Sequence, residues 1–301
     1  MNVGYACLTN GVEDTSIKSC IMKNATEERL KELIAWNLNS LENMLHYNIA
    51  NDIRLFRISS DIIPFGSSPV NQLPWWDIFE QEFERLGEKI KAHHMRVSMH
   101  PGQYTVLNSP KEEVVSRAIE DLRYHARVLS CLRTASECKI ILHIGGVYGD
   151  KEMAIKRFII NYQALEQELK QRLVIENDDK CYSIGEVLRI GLSQSLPVVY
   201  DNLHHIANPG GDFISHKYWI DECKKTWKQK DGVQKIHYSQ QDKEKKLGSH
   251  SSTIHLEEFI QFYEELDRED LDIMLEVKDK NLSAIKCNQY LSGRTAASAE
   301  E

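Results

Sequence analysis

Eight side chains able to ligate divalent metals stand at or just beyond the ends of apolar runs. They are His100 in SMHPG, His143 in IILHIGG, Glu176 in VIENDD, Asp201 and His204 in VVYDNLHH, His237 in KIHYS, Glu276 in MLEVKDK and His250 in the loop GSHS. Imidazole and carboxylate donors together suit divalent Mn, Fe, Co or Zn. None of the eight is a thiol, which excludes a structural cysteine-type zinc site. One metal takes three or four ligands. Eight therefore imply a two- or three-metal cluster with bridging carboxylates, an arrangement used to hydrolyse phosphodiesters. A single strand His is ordinarily a hydrogen-bonded core residue. His46, His93, His94, His125, His216 and His255, in or beside helical stretches, are read that way. Ionised groups taken out of water need partners, so six consecutive strand ends finishing this way point to one shared site.

The elements that must position these groups are legible from periodicity. Apolar, β-branched runs at 3–8, 53–59, 96–99, 140–144, 173–176, 197–200, 235–238 and 273–277 read as strands. Helical patterns fall between them at 27–46, 76–93, 111–132, 151–172, 184–194, 212–227, 256–266 and 282–291. Eight strands alternating with eight helices predict a closed parallel (β/α)8 TIM barrel, the α/β class. A single domain over 1–291 is expected, with a disordered tail over 292–301. In a closed barrel the strand ends converge on one mouth, where barrel active sites lie. The long loops 60–74 and 239–253 belong to that face. Arg57, just inside the end of the second strand, faces the mouth or its wall.

Composition narrows the class. With 42% hydrophobic and 27% charged residues the chain is neither disordered nor fibrous. A net charge of -8 gives no whole-molecule attraction to nucleic acid, so DNA contact must come from a local basic surface. Lys243, Lys245 and Lys246 in the second long loop are candidates for phosphate contacts. Seven scattered cysteines without a CxxC pair fit a reducing compartment. No basic n-region or membrane-length apolar run is present, so an intracellular, cytoplasmic protein with no membrane partner is expected.

At these residues the sequence resembles the UV damage endonucleases. The matching pieces include GYACLTN at 4–10, FRISSDIIPFGS at 56–67, SMHPGQYTVLNSP at 98–110, IILHIGG at 140–146, VIENDD at 174–179, VVYDNLHH at 198–205 and LEVKDK at 275–280. They span nearly the whole chain in the family's order. The ligand pattern alone would also suit endonuclease IV and sugar isomerases. The resemblance implies a TIM barrel with three manganese ions, Zn2+, Co2+ or Fe2+ being possible. It implies damaged double-stranded DNA as partner. The strand is nicked immediately 5′ to UV photoproducts and some other lesions, leaving 3′-OH and 5′-phosphate ends.

The resemblance also implies a division of ligands. His100, His143 and Glu176 would hold one metal. Glu176, Asp201, His237 and Glu276 would hold a second, and His204 and His250 a third. Gln103 and Tyr104 would probe the lesion, and Tyr5 and Asn10 would act on the substrate side. Lys235 lies two residues before His237, so both side chains point to one face of a strand. An ammonium beside divalent cations is unfavourable, and the third metal lacks an anionic ligand. Lys235 is therefore expected as a carbamate, formed by CO2 on its neutral amine, and the resemblance is consistent with such a modified lysine. Two other functions compete: a metal-dependent sugar isomerase or epimerase on the same barrel, and a non-catalytic lesion-binding protein. The length of the two loops and the completeness of the ligand set weigh against them.

Overall fold

The computed structural model describes residues 1–267 and 270–298. Among the described residues there are eight strands: β1 Val3–Ala6, β2 Leu55–Arg57, β3 Arg96–Ser98, β4 Ile140–His143, β5 Leu173–Glu176, β6 Val198–Asp201, β7 Gln234–Tyr238 and β8 Leu271–Leu275. They pair in parallel in the order β3-β2-β1-β8-β7-β6-β5-β4. A bridge between Met99 and Ile140 joins the two outer strands. There the Met99 N–H donates to the Lys139 carbonyl and the Ile141 N–H to the Met99 carbonyl, each at 3.0 Å. The sheet thus closes on itself as the (β/α)8 barrel that the alternating pattern predicts.

The helices are α1 Glu27–Ala50, α2 Trp75–Ile78, α3 Glu80–Ala92, α4 Glu112–Cys131, α5 Lys151–Ala164, α6 Gln167–Arg172, α7 Ile184–Gln194, α8 Asn202–Ala207, α9 His216–Lys224, α10 Leu256–Leu266 and α11 Asn281–Ser298. Two stretches that periodicity reads as continuous are broken. Phe79 separates α2 from α3, and extended backbone at Leu165 and Glu166 separates α5 from α6. The expected tail from 292 begins inside α11, where alanines favour continued helix, and 299–301 lie outside the described residues. Helix α8 has no sequence counterpart in the periodic pattern. It forms because the Asp201 carboxylate caps it, accepting from the His204 N–H at 2.7 Å.

Side chains alternate across the barrel wall. Outward residues such as Val3, Tyr5, Phe56, Val97, Ile236 and Leu275 join helix residues in the main core. Fully burying each large apolar side chain contributes about 1.5–3 kcal/mol, so this outer layer holds the helices on the barrel. Inward positions are occupied differently. Ala6, Leu55 and Met274 form one small apolar cluster, and Ile141, Val174, Val199 and Trp227 another. Toward the closed end lie the buried ion pairs Arg96–Asp272 at 3.0 Å and Lys139–Asp231 at 2.6 Å. Gly4 is required on the inward side, because a Cβ there would overlap the Leu55 carbonyl oxygen. All seven cysteines are free thiols, and no described helix is long and apolar enough to cross a membrane.

Candidate metal centre

The inward residues at the carboxyl ends of the strands come together at one mouth. Three sets of donors form there: His100, His143 and Glu176; Glu176, Asp201 and His204; and Glu176, His237 and Glu276. In each set one donor atom per residue lies within 4.8 Å of the others. Glu176, at the end of β5 and buried, belongs to all three. Its Oε2 is 3.0 Å from His100 Nε2 and 3.6 Å from His143 Nε2. Its Oε1 is 2.5 Å from His237 Nδ1 and 3.9 Å from His204 Nδ1.

Electrostatics offset burial at two of the three carboxylates. Desolvation would raise Glu176, but the imidazoles of His237, His143 and His100 hold it well below the usual carboxylate range. Glu276 is lowered in the same way against burial, by Arg57 and His237. Asp201 is raised, first by burial and then by Glu176 and Glu276, with His204 opposing. Burial alone would lower His204, yet Asp201, Glu176 and Glu276 outweigh it and push it up to about 9. Burial lowers His143.

Hydrogen bonds fix which ring nitrogen faces the site. His100 Nδ1 is 3.0 Å from the Pro101 carbonyl and His204 Nδ1 is 2.9 Å from the Asn177 carbonyl. His250 Nδ1 is bonded to the Glu276 carbonyl. A carbonyl can only accept, so in each neutral ring Nδ1 carries the proton and Nε2 keeps the lone pair. Arg57 lies deeper in the site than "mouth or wall" implies. Its guanidinium is buried, donates to Glu276, and is 3.0 Å from His237 Nε2.

Not every expected residue joins a donor set. His250 belongs to none of the three, although its Glu276 bond ties it to the rim. Lys235 faces inward like His237, but one layer deeper, in register with Asp272. Its Nζ is buried without a hydrogen-bond partner. Burial first, then Arg96 and Arg57, push its amine well below the ordinary lysine range.

The family profile described as UV-endonuclease UvdE matches residues 1–296. The chain belongs to this UV-endonuclease family. Membership makes it a nuclease. The UV DNA damage endonuclease of Clostridium perfringens is 45% identical over 288 residues, covering 95% of this chain and 70% of that protein. The crystal structure of SacUVDE superposes with a TM-score of 0.92 at 38% identity, covering 98% of this chain and 99% of that one. Endonuclease IV from Thermus thermophilus, at 12% identity and a TM-score of 0.58 over 97% of this chain and 100% of its own, shares the fold.

Within this member of the UV-endonuclease family, the HPGQY segment makes an exposed turn after β3. The Thr105 N–H donates to the Gly102 carbonyl at 2.9 Å, leaving Gln103 and Tyr104 at the tip, with Tyr104 73% exposed. Thr105 Oγ1 donates to the buried Asp121 of α4 at 2.6 Å, anchoring the turn. A cleft of about 500 Å3 is lined by Gln103 and Tyr104 together with His143 and His204. Asn10 lies on the rim, its amide donating to the Lys278 carbonyl at 2.9 Å. Tyr5, expected on the substrate side, lies in the outer layer of the barrel wall. Strand alternation turns it outward, where its buried hydroxyl bonds Thr9 Oγ1 at 2.6 Å and Asn48 Oδ1 at 2.7 Å. Its Thr9 bond braces the loop that carries Asn10. His125, read as a core residue, is buried but sits close behind the site. Ser60 Oγ lies 2.9 Å from its Nε2 and 2.7 Å from the His100 carbonyl.

Proposed function

We propose that this chain hydrolyses damaged double-stranded DNA, nicking the strand immediately 5′ to UV photoproducts and some other lesions and leaving 3′-OH and 5′-phosphate ends. One observation carries the reading: a single cleft joins the exposed Gln103–Tyr104 turn to the donors His143 and His204. An amide and an aromatic ring projecting beside the duplex suit entry into a base stack already weakened by damage. The same cleft then brings the neighbouring phosphodiester to the imidazole and carboxylate donors. The substrate places the protein wherever the cell keeps its DNA.

The donor chemistry fits divalent metals. Each set mixes imidazole with carboxylate, and Asp201 Oδ2 is buried among the donors without a hydrogen-bond partner. His100, His143 and Glu176 would hold one ion; Glu176, Asp201, His237 and Glu276 a second; His204 and His250, through Nε2, a third. Mn2+ suits this set better than Mg2+, which prefers oxygen ligands. When bound, such cations make water acidic enough to serve as a nucleophile near neutral pH and neutralise charge on the phosphate. The chain's own residues do the rest. Glu176 and Glu276 stay anionic at the centre, Arg57 holds Glu276 in place, and the Pro101, Asn177 and Glu276 carbonyls orient three rings. Lys235 as a carbamate completes the reading. CO2 adds to its neutral amine, an N–C bond forms, and one N–H proton leaves to solvent. The Arg57 and Arg96 guanidiniums that disfavour an ammonium there favour an anion in its place.

The test is a nicking assay on irradiated and plain duplex. Chelation should abolish incision of irradiated DNA, and Mn2+ should restore it better than Mg2+. Full activity in excess chelator after prolonged dialysis would sink the metal-dependent reading. A gel shift without nicking would mark a binding protein instead.

A further inference from the structure

Two asparagines repeat one geometry on adjacent strands of the site. Asn177 directly follows the donor Glu176, and Asn202 directly follows the donor Asp201. Asn177 Nδ2 donates to the Asp201 carbonyl at 3.0 Å, and its Oδ1 accepts from the Asp201 N–H at 2.9 Å. Asn202 Nδ2 donates to the Ser239 carbonyl at 2.9 Å, and its Oδ1 accepts from the Ser239 N–H at 2.8 Å. The offsets agree as well. Glu176 is in register with Val199, and the clamped Asp201 is two residues beyond it. Asp201 is in register with His237, and the clamped Ser239 is two residues beyond that. All four partners are buried.

A side-chain amide presents the same donor and acceptor as a peptide group. Each asparagine therefore adds a rung past the last pair of its ladder, where the strands end and the ligands begin. We infer that Asn177 and Asn202 are positioning residues, which extend the β5–β6–β7 ladder by one side-chain rung each so that the donors Asp201, His204 and His237 stand preformed. The inference rests on the metal-centre reading above. Asn177 serves two donors at once, since its side chain fixes the Asp201 backbone and its carbonyl takes His204 Nδ1 at 2.9 Å. With its backbone held by Asn177 and Oδ1 spent on capping α8, Asp201 has Oδ2 left facing the other donors. Asn202 fixes the backbone two residues past His237, whose ring meets Glu176 and Arg57. In sequence the device reads as a strand ending in an acidic residue followed by Asn.

Asn177→Leu and Asn202→Leu keep the branched shape and the number of side-chain heavy atoms and remove both hydrogen bonds. Asn288→Leu is the control, since Asn288 makes the same two-point bond to Val3, at 3.2 and 2.9 Å, at the start of β1 and away from the donors. Two readings are taken on folded protein: amide hydrogen exchange after chelation, and Mn2+ titration followed by the spectrum of the free ion. Asn177→Leu should speed exchange of the Asp201 amide by about 100-fold and weaken Mn2+ binding by about 10–100-fold, the usual cost of losing an outer partner of a ligand. Asn202→Leu should expose the Ser239 amide and weaken Mn2+ binding in the same range. Asn288→Leu should leave Mn2+ binding within about twofold. If leucine blocks folding, Asn177→Ala gives the same readings. The inference is overturned if Asp201 stays protected in Asn177→Leu, if Mn2+ binding is unchanged, or if Asn288→Leu weakens it equally. A parent protein that takes up no Mn2+ would overturn the metal-centre reading itself, while exchange after chelation still decides whether the rungs exist.

Discussion

His204 makes the stability of the metal-free protein depend on pH in a defined direction. Its folded-state value of about 9 lies above the roughly 6.5 of an unfolded histidine. A group raised on folding contributes stability that is complete below its unfolded value and lost as pH rises through the folded one. At about 1.4 kcal/mol per pH unit, the full contribution is about 3 kcal/mol, most of it lost between pH 6.5 and 8.5. Groups that burial lowers act in the opposite sense. His125, His143, His205 and His216 are lowered by burial and gain stability as pH rises through about 6.5, and Lys235, lowered further, gains it through the whole interval. The assay is urea unfolding of chelated protein at half-unit steps from pH 6 to 8.5. The reading is the difference between parent and His204→Gln, in which the lowered groups cancel: the parent's advantage should shrink by about 2–3 kcal/mol across that range. Because a ligand must shed its proton to bind metal, Mn2+ affinity of the parent should climb over the same interval. A difference between parent and His204→Gln that does not change with pH would refute the electrostatic account of the site.

Three further outcomes are expected. Gln103→Ala combined with Tyr104→Ala should erase discrimination between damaged and plain duplex with metal content unchanged; retained discrimination would remove the turn from lesion readout. Arg57→Met leaves Glu276 and His237 without their buried cation and should cost the chelated protein about 3–5 kcal/mol in urea unfolding; a loss under about 1 kcal/mol would show that the site does not depend on it. Lys235→Ala should lose one metal and most incision, and Lys235→Glu should retain more of both. Metal analysis checks this, and an unbranched Lys235 in well-ordered electron density of the metal-loaded protein would exclude the carbamate.

The barrel was legible because its strands are short, β-branched and regularly spaced, and because polar donors interrupt them at a constant place. Strand parity explains which expected residues converge at the mouth and why Tyr5 lies elsewhere. His100, His143, Glu176, Asp201, His237 and Glu276 all occupy inward positions, whereas Tyr5 is outward, and a four-residue strand gives no local sign of which parity is inward. Depth was equally hidden. Lys235 shares a face with His237, but a two-residue step along a strand is about 6.6 Å, which separates the donor layer from the layer beneath. His250 lies on a loop, in a single antiparallel bridge with Gln241 that no strand periodicity announces. Helix α8 escaped because six residues carry too little periodicity; only the Asp201 cap and the DNLHH spacing mark it.

The closure of the barrel is uneven. Between β3 and β4 the wall rests on the single bridge at Met99 and Ile140, whereas β7 and β8 are paired along five residues. The donors His100 and His143 stand on opposite sides of that seam, with ring centroids 5.1 Å apart. A cation shared by these two rings and Glu176 would act as a clasp across the weakest line of the cylinder. It would tie distant stretches of chain where the backbone ties them least. Loading the site would then tighten the whole molecule, and stripping it would loosen first the wall from which the Gln103–Tyr104 turn hangs.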